Sequence, residues 1–270
     1  MRTIAISNQK GGSCKTTTAV TLSAALGRLK RKVLLIDLDP QAHTTYWLKM
    51  GNVEKGLFVV MAHNEEIVDN VYPTQLPNVD LLPANDWLYG IGKALANEIG
   101  PETILQRKLM KIPKSKWDYV LIDCPPDLGI LTVNALGAVR EVVIPVEASA
   151  LALSGVAKLT RTIEMIQERI NPEIQITGVL VCKHESTLLS GDVVNQLKAV
   201  FGKALFKDSI PKNVRIAECP SSPKGLSIFE YAPECSSARA YMNVAKQIIQ
   251  QEREVRKYES AEKRLARQPA

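Results

Sequence analysis

The feature that most constrains this chain is a glycine-containing loop between a short apolar run and a helix-like segment near the N-terminus. The run is Thr3–Ser7, the loop is Gln9–Thr17 (QKGGSCKTT), and a helix is predicted over Lys15–Lys30. A strand, a glycine loop and a helix N-terminus together point backbone N–H groups at an anion, and the helix dipole adds attraction. Gly11 and Gly12 let the backbone approach closely because they have no Cβ. The loop therefore predicts a phosphate-binding site.

The side chains of this loop are those that bind a nucleoside triphosphate. Lys15 is expected to reach the β- and γ-phosphates, the Thr16 hydroxyl to ligate Mg²⁺, and Thr17 to add a hydroxyl near the α-phosphate. The usual pattern, G-x-x-x-x-G-K-[ST], has glycine where this chain has Gln9 and Cys14, so the loop is irregular. The predicted nucleotide-binding residues of the loop are Gly11, Gly12, Ser13, Cys14, Lys15, Thr16 and Thr17.

Apolar runs of strand length alternate with helix-like segments along the chain. The runs are continuous, as expected for strands that are buried on both faces. This alternation favours an α/β fold with three layers, in which helices cover both faces of a twisted, mostly parallel sheet. The predicted strands are Thr3–Ser7, Lys32–Leu38, Val79–Pro83, Asp118–Asp123, Glu141–Val146 and Ile174–Val181, and the predicted helices are Lys15–Lys30, Leu151–Ile170 and Asp192–Phe201.

The other segments set the predicted domain organisation. Residues 48–115 are irregular in pattern, and we expect an insertion or a helical flank on the sheet rather than a separate domain. A chain of 270 residues suits one large domain, which we predict over residues 1–250. Residues 251–270 carry six Lys or Arg and four Glu, which predicts a polar, charged helix or a frayed tail.

Composition narrows the cellular setting. The five cysteines include no CxxC pair, so neither a zinc ribbon nor a disulfide framework is indicated, and reduced thiols in a cytosol are expected. No segment approaches about 18 consecutive apolar residues, so we predict a cytoplasmic protein without a membrane span. The formal charge of +6 is compatible with a polyanionic partner, either nucleic acid or an anionic membrane surface.

Three aspartates follow two of the predicted strands. Asp37 and Asp39 come after the run VLLI, and Asp123 ends the run YVLI. In an open α/β sheet the ligand site lies beyond the carboxyl ends of the strands. Carboxylates there can hold Mg²⁺ directly or through water and can orient an attacking water. We predict Thr16, Asp37 and Asp123 as the metal-site residues.

The sequence resembles the ParA group of deviant Walker-A ATPases, the family that also includes MinD. Four stretches carry the resemblance: QKGGSCKTTT at 9–18, LLIDLDPQ at 34–41, DYVLIDCPPDLGILTVNAL at 118–136 and SIPKNVRIAECPS at 209–221. It extends over about residues 1–250. The chain opens directly at its first predicted strand, so it is similar to the shorter ParA proteins, which lack the N-terminal DNA-binding extension of the larger ones.

The resemblance implies roles for the matching residues. Lys10 resembles the signature lysine that reaches across an ATP-sandwich dimer to the partner's phosphates. Asp39 matches the aspartate that positions or activates the hydrolytic water, and Asp123 matches the Walker-B aspartate. The implied catalytic residues are Lys10, Lys15 and Asp39, and the implied cofactors are ATP and Mg²⁺. The segment implied to line the adenine pocket is Pro211, Lys212 and Asn213.

The position of Lys10 can also be interpreted without the family. A second lysine five residues before Lys15 would crowd its own phosphate site. Directed at the nucleotide of a partner instead, it would make dimerisation depend on ATP. The other interpretation of Lys10 is an ordinary surface lysine on a loop.

The resemblance further implies a slow ATPase that is stimulated by a partner. ParA-type proteins form an ATP-bound homodimer that binds non-specific DNA, and a ParB-like adaptor stimulates hydrolysis, which moves or positions plasmid or chromosomal cargo on the nucleoid. Residues 183–224 hold seven Lys or Arg against four acids, as contacts with DNA phosphates require. An arginine that similar proteins carry after the strand ending near Val181 is not evident here. The candidate DNA-binding residues are Arg215, Lys183, Lys203 and Lys224.

Four other functions stay open at the level of sequence. MinD-like membrane cycling needs a C-terminal amphipathic helix with a strong apolar face, and residues 251–270 offer almost none. An iron–sulfur protein like the nitrogenase iron protein needs cluster cysteines in glycine-rich turns, whereas Cys124 lies between Asp123 and Pro125. The third is a nucleotide-gated scaffold that does not hydrolyse ATP. The fourth is a ParA-like ATPase that positions a cargo other than DNA.

Cys14 departs from the family pattern, which mostly has glycine at this position. A side chain there is unfavourable if φ is positive, and a thiol at a helix N-terminus can have a depressed pKa. One interpretation is redox control of nucleotide binding. The other is a tolerated substitution in which the side chain turns into the sheet.

Overall fold

The protein is built on one twisted sheet. The computed structural model describes residues 1–51, 53–149 and 152–265, with side chains described through Glu252. The strands within these residues are β1 (Arg2–Ile6), β2 (Val33–Asp37), β3 (Tyr72–Pro73), β4 (Val79–Leu82), β5 (Tyr119–Asp123), β6 (Glu141–Glu147) and β7 (Gln175–Cys182). Their order in the sheet is β3-β4-β2-β5-β1-β6-β7. Neighbouring strands are parallel except β3 and β4, which are antiparallel, so the prediction of a mostly parallel sheet is confirmed.

The continuous apolar runs divide between the two faces of the sheet with the two-residue period of a strand. On β1, Ile4 and Ile6 enter one hydrophobic cluster and Ala5 enters the other. On β2, Leu34 and Ile36 face the same side as Ala5. A strand with apolar residues at every position therefore has a buried environment on both sides, which is the reason for the missing alternation in the sequence.

Helices cover both faces, as predicted. One face is covered by α1 (Lys15–Arg28), α2 (His43–Trp47), α10 (Ile228–Tyr231) and α11 (Ser236–Leu265), with α9 (Val214–Glu218) beside α10. The other face is covered by α3 (Leu57–Ala62), α4 (Ile91–Ala94), α5 (Ile104–Met110), α6 (Ile130–Ala138), α7 (Ala152–Arg169) and α8 (Leu188–Phe201).

Residues 48–115 contain more regular structure than the sequence pattern indicated. The segment adds β3 and β4 to the edge of the sheet and places α3, α4 and α5 on one face. Only the strand at Val79–Leu82 was predicted. The others are two to seven residues long, too short for a clear periodic signal.

The C-terminal helix α11 joins the predicted domain to the predicted tail. Its first half packs on α1, where Tyr241, Val244 and Ile248 are fully or almost fully buried. Farther along, the Tyr119 hydroxyl donates to Glu252 Oε2 at 2.7 Å. The helix continues without a break through Leu265, and residues 266–270 lie outside the described residues.

Candidate nucleotide site

The glycine loop lies between the end of β1 and the start of α1. Gly12 and Cys14 both have positive φ, 72° and 68°, so the backbone makes two left-handed steps within three residues. No side chain caps the N-terminus of α1, because Cys14 occupies the N-cap position without accepting a hydrogen bond. A Cβ built on Gly11 or Gly12 would meet nothing within 4 Å. The backbone at Gly11 and Gly12 is thus open to the approach of an anion, which the N-terminus of α1 would attract.

Lys15 lies at the base of this loop and is almost fully buried. Its ammonium donates to the Lys10 carbonyl at 3.3 Å. Burial lowers the pKa of Lys15, while Asp123, Cys124 and Asp39 act in the opposite direction. Ser13 is 1% exposed, and its Oγ is buried without a hydrogen-bond partner. A phosphate group would supply the charge and the acceptors that these two side chains lack.

Two fully buried carboxylates lie side by side where β2 and β5 end. Asp37 and Asp123 are register partners on adjacent strands. Burial raises the pKa of Asp37 to about 8, with the charge of Asp123 as the next cause. Burial likewise raises the pKa of Asp123, against the Thr16 and Thr44 hydroxyls that favour its ionised form. The charge of Asp123 disfavours ionisation of Asp37, and the charge of Asp39 disfavours ionisation of Asp123, so this group of carboxylates suits a nearby cation.

These residues fit Mg²⁺. Asp123 Oδ1 is buried without a hydrogen bond, while Oδ2 accepts from Thr44 Oγ1 at 2.8 Å. The Thr16 hydroxyl lies beside the same carboxylate. Among the described residues, no group of three or more His, Cys, Asp or Glu side chains is arranged to hold a metal on its own. Mg²⁺ needs no such cage, because it keeps waters and takes oxygens from nucleotide phosphates.

Asp37 and Asp39 have different surroundings, although they are only two residues apart. Asp37 Oδ2 accepts from the Thr45 backbone N at 2.8 Å and from the Thr45 hydroxyl at 2.7 Å, so it is held in place. Asp39 is 6% exposed, and its Oδ1 accepts from Gln41 N at 2.9 Å. Asp37 is therefore fixed by Thr45 and fully buried, whereas Asp39 is slightly exposed, so a water can reach it.

Lys10 does not point at the phosphate site of its own loop. Its ammonium donates to Glu147 Oε2 at 2.8 Å and to Ser149 Oγ at 3.2 Å, beyond the end of β6. The Lys10 side chain is 40% exposed. Lys183 also pairs with the Glu147 carboxylate, because its ammonium lies 3.4 Å from Oε1. The same ammonium donates to the Gly12 carbonyl at 3.0 Å. The Lys10 hydrogen bond is the main reason that the pKa of Glu147 is lowered.

Cys14 has a positive φ, the backbone conformation in which a side chain at this position is unfavourable. Its side chain packs against the apolar cluster that contains Cys182, and its thiol donates to the Gly12 carbonyl at 3.9 Å. Cys182 and Lys183 lower the pKa of Cys14, against the effect of burial. The side chain therefore packs toward the sheet.

The segment predicted to line the adenine pocket lies beside the carboxyl end of β7. Pro211 forms a parallel bridge with His184, and the Lys212 backbone N donates to the His184 carbonyl at 3.0 Å. Asn213 caps α9 by accepting from Arg215 N at 2.9 Å. These residues lie at the carboxyl ends of the strands, on the same side of the sheet as the phosphate loop.

The four predicted DNA-binding residues lie in different places. Arg215 and Lys224 are exposed, on α9 and in the loop before α10. Lys203 is exposed at the end of α8, where the chain turns back to bridge β7 at Val179. Lys183 instead contacts the phosphate loop, through the Gly12 carbonyl.

Several residues of the site were missed in the sequence. Glu147 ends the buried run of β6 just as Asp37 and Asp123 end theirs, so the same strand-end rule applied to EVVIPVE would have found it. Thr44 and Thr45 gave no such signal. Their hydroxyls reach the aspartates only because α2 folds back over the ends of β2 and β5.

Comparisons with known proteins agree with this geometry. A profile of the AAA domain family matches residues 1–176. The chain is 38% identical to the sporulation initiation inhibitor protein Soj of Bacillus subtilis, over 91% of this chain and 97% of that one. It is 41% identical to the chromosome-partitioning ATPase Soj of Thermus thermophilus, over 92% and 96%.

A solved structure has a similar fold. Cobyrinic acid a,c-diamide synthase from Mycobacterium smegmatis, with bound ADP and magnesium, is 32% identical with a TM-score of 0.78, over 92% of this chain and 94% of that one. Across the described residues, no helix combines the length and apolar character needed to cross a membrane. Similarity to the Soj proteins over nearly their whole length confirms the resemblance found in the motifs, and the chain belongs to the ParA/Soj family of partition ATPases.

Proposed function

We propose that this chain is a DNA-partition ATPase that works as an ATP-bound homodimer. In this proposal the dimer binds DNA without sequence preference and associates with the nucleoid. A ParB-like adaptor stimulates hydrolysis, which releases the dimer and moves or positions plasmid or chromosomal cargo. Membership of the ParA/Soj family supports the partition role.

The reaction is hydrolysis of ATP to ADP and phosphate, with Mg²⁺ as cofactor. The backbone from Gly11 to Thr17 would cradle the phosphates, and Lys15 would contact the terminal ones. Thr16, with Asp37 and Asp123 behind it, would hold Mg²⁺, which neutralises charge that develops on the phosphates. Asp39 would orient the attacking water.

The observation that carries the dimer proposal is the direction of Lys10. Its ammonium lies at the end of β6, 40% exposed, and is held by Glu147 and Ser149. The buried Lys15 would serve the loop's own phosphates. A cation on the same loop that faces outward is placed to complete a site on another molecule. A partner's γ-phosphate would supply the negative charge that Lys10 would exchange for Glu147.

The DNA proposal rests on exposed basic residues near the carboxyl ends of the strands, on the side of the sheet where the phosphate loop lies. Arg215 lies one turn from the segment predicted to contact adenine, and its guanidinium forms an exposed ion pair with Glu218 at 3.6 Å. Such an exposed ion pair contributes about 0–1 kcal/mol, so the guanidinium can be transferred to a DNA phosphate at little cost. Its proximity to the nucleotide region would link DNA affinity to the bound nucleotide.

The test is DNA binding measured with ATP, with ADP and without nucleotide, over a salt series. We expect binding with ATP alone, equal affinity for unrelated DNA sequences, and a steep fall in affinity as salt rises, because counterions are released from the DNA. Light scattering on the same samples reports the dimer.

Binding that is indifferent to nucleotide would contradict the proposal. ATP-dependent dimers that fail to bind DNA would favour instead a ParA-like ATPase for a non-DNA cargo. Absence of ATP turnover in the presence of DNA would favour the non-hydrolysing scaffold.

A further inference from the structure

One glutamate at the carboxyl end of β6 is shared by two lysines. Glu147 Oε2 accepts from Lys10 at 2.8 Å, and Glu147 Oε1 accepts from Lys183 at 3.4 Å. Because the two ammonium groups bind different oxygens, the carboxylate holds both at once. In the proposed function Lys10 leaves this glutamate for a phosphate of a partner, whereas Lys183 has no task.

The backbone fixes the position of Lys183. The residue follows the last position of β7, which is the register partner of Glu147 on β6. Lys183 has a φ of 53°, a left-handed conformation that a residue with a Cβ adopts at a cost and that persists only where its surroundings determine it. The next residue is held on both sides, because His184 N donates to the Ile210 carbonyl at 2.9 Å and the His184 carbonyl accepts from Lys212 N at 3.0 Å. The Lys183 side chain therefore reaches Glu147 from a fixed backbone position.

Lys183 also binds the phosphate loop. Its ammonium donates to the Gly12 carbonyl at 3.0 Å, a shorter distance than the 3.4 Å to Glu147. Gly12 has a φ of 72° and lies three residues before Lys15, which would contact the phosphates. The contact with the loop does not involve Lys10. A movement of the Lys10 side chain therefore leaves the Lys183 ammonium beside Glu147.

The departure of Lys10 would leave a negative charge at Glu147 close to an anionic nucleotide. The hydrogen bond from Lys10 is the largest cause of the lowered pKa of Glu147, and the charge of Lys183 acts in the same direction. The Glu147 side chain is 27% exposed, and it would become less exposed between two subunits, so water would compensate its charge poorly. A second cation on the carboxylate reduces this cost, because the carboxylate keeps a partner after the exchange.

We propose that Lys183 is a positioning residue of the ATP-dependent dimer: it stays with Glu147 as the counter-ion after Lys10 has moved to a phosphate of the partner subunit. Lys183 thereby makes the transfer of Lys10 less costly, and it acts through Glu147 rather than on the nucleotide. This role rests on the proposed dimer. It assigns Lys183 to dimerisation in place of the DNA contact that the sequence led us to expect.

The test compares dimerisation of the full-length wild type with that of Lys183→Met, which keeps the side-chain length and removes the charge. Sedimentation velocity over a concentration series, with Mg²⁺ and a non-hydrolysable ATP analogue, gives the dimer dissociation constant. A half-exposed ion pair changes an equilibrium by up to about fivefold. Because a symmetric dimer contains the exchange twice, an effect of about threefold at each site should raise the dimer dissociation constant about tenfold.

Two further measurements separate this role from a general effect on the loop. Affinity for a fluorescent ADP analogue, measured on the monomer, should change much less than dimerisation does. Lys183→Arg keeps the positive charge beside Glu147 and should dimerise like the wild type.

A double-mutant cycle with Glu147→Gln tests the mechanism directly. In Glu147→Gln the carboxylate charge is gone, so no group needs a counter-ion when Lys10 leaves. Lys183→Met in this background should change the dimer dissociation constant by no more than about twofold, as expected for sites that no longer interact. A lysine that only supports the loop would have the same effect in both backgrounds.

The chain offers a matched control in Glu66, which is also shared by two lysines. Glu66 Oε1 lies 3.4 Å from the Lys108 ammonium and 2.7 Å from the Lys111 ammonium. Lys111→Met therefore removes one of two cations from a shared glutamate outside the nucleotide site. This variant should match the wild type in dimerisation and in ADP binding.

An unchanged dimer dissociation constant in Lys183→Met would overturn the proposal. An equally large loss of ADP affinity, a Lys183→Arg variant that dimerises no better than Lys183→Met, or an equal effect of Lys183→Met in the Glu147→Gln background would overturn it as well. A wild type that stays monomeric with the ATP analogue would refute the dimer of the proposed function. That result is read from the wild type alone, so the two failures are distinct.

Discussion

At the scale of single residues, the informative contact is the ion pair between Lys10 and Glu147. Both side chains are partly exposed, 40% for Lys10 and 27% for Glu147. Exposed pairs of this kind contribute about 0–1 kcal/mol, since water competes for both charges. The pair therefore holds Lys10 in a defined place in the monomer without preventing its transfer to a phosphate of a partner.

Removing the Lys10 ammonium should separate nucleotide binding from dimerisation. In Lys10→Ala, we expect near-normal ATP binding by the monomer, because Lys15 and the loop backbone remain, and loss of ATP-dependent dimers. Size-exclusion chromatography with light scattering checks this, with Lys32→Ala as a control that removes an exposed lysine before β2. Normal ATP dimers from Lys10→Ala would contradict the role in trans.

Removing the Asp39 carboxylate should separate binding from turnover. We expect Asp39→Ala to bind ATP and to lose about 10²-fold or more in kcat, since an ordered attacking water loses its partner. Steady-state phosphate release and an ATP-analogue titration measure the two effects. Asp69→Ala, an exposed aspartate outside the site, should match the wild type in both. A large loss of affinity in Asp39→Ala would indicate a ground-state role instead.

At the scale of elements, helix α1 must lie close to the sheet in order to present the loop. Gly27 allows this, because a Cβ there would lie 2.0 Å from the Pro77 carbonyl oxygen and 3.1 Å from Val79 Cγ2. The Gly27 carbonyl also accepts from Asn78 Nδ2 at 3.0 Å. The far end of α1 is thus fixed against the segment that leads into β4, and its near end carries Lys15.

Two glycine-to-alanine changes test this close packing. Gly27→Ala should destabilise the fold by roughly 1–3 kcal/mol, because the methyl group must displace backbone. In α8, a Cβ on Gly191 meets nothing within 4 Å, so Gly191→Ala should stabilise by roughly 0.5–1 kcal/mol through helix propensity. Urea denaturation gives both free energies of unfolding. Equal effects of the two changes would show that packing at Gly27 is loose.

At the scale of the whole molecule, the sheet gathers the phosphate loop, the aspartates and Glu147 at the carboxyl ends of its strands. The segment 205–213 returns along β7 to the same edge, through the hydrogen bonds of Phe206 with Val179 and of Ile210 with Val181. The segment thus runs from the middle of β7 past its carboxyl end, where Pro211 bridges His184, and Arg215 follows on the nucleotide side. In the proposed function, the nucleotide site and the DNA surface are adjacent for this reason.

Charge removal at two distant points should distinguish a DNA surface from net charge. Arg215→Ala should weaken ATP-dependent DNA binding and reduce the slope of log affinity against log salt by about 1, as expected for one lost phosphate contact. Lys114→Ala removes one exposed charge in the loop before β5, where the strands begin, and should leave the slope unchanged. Filter binding over a salt series measures both. Equal losses would mean that only total charge matters.

The sequence by itself determined the phosphate loop, the aspartates and the mostly parallel sheet. These signals are local: buried parallel strands have continuous apolar runs, and strand ends in such a sheet carry the ligand groups. Tertiary structure decided the rest, because it depends on residues distant in the chain. Glu147 is 137 positions from Lys10 and binds it only because β6 lies beside β1. Lys183 donates to the Gly12 carbonyl for the same kind of reason. No spacing in the sequence shows such a pair, since strand order in the sheet brings its members together.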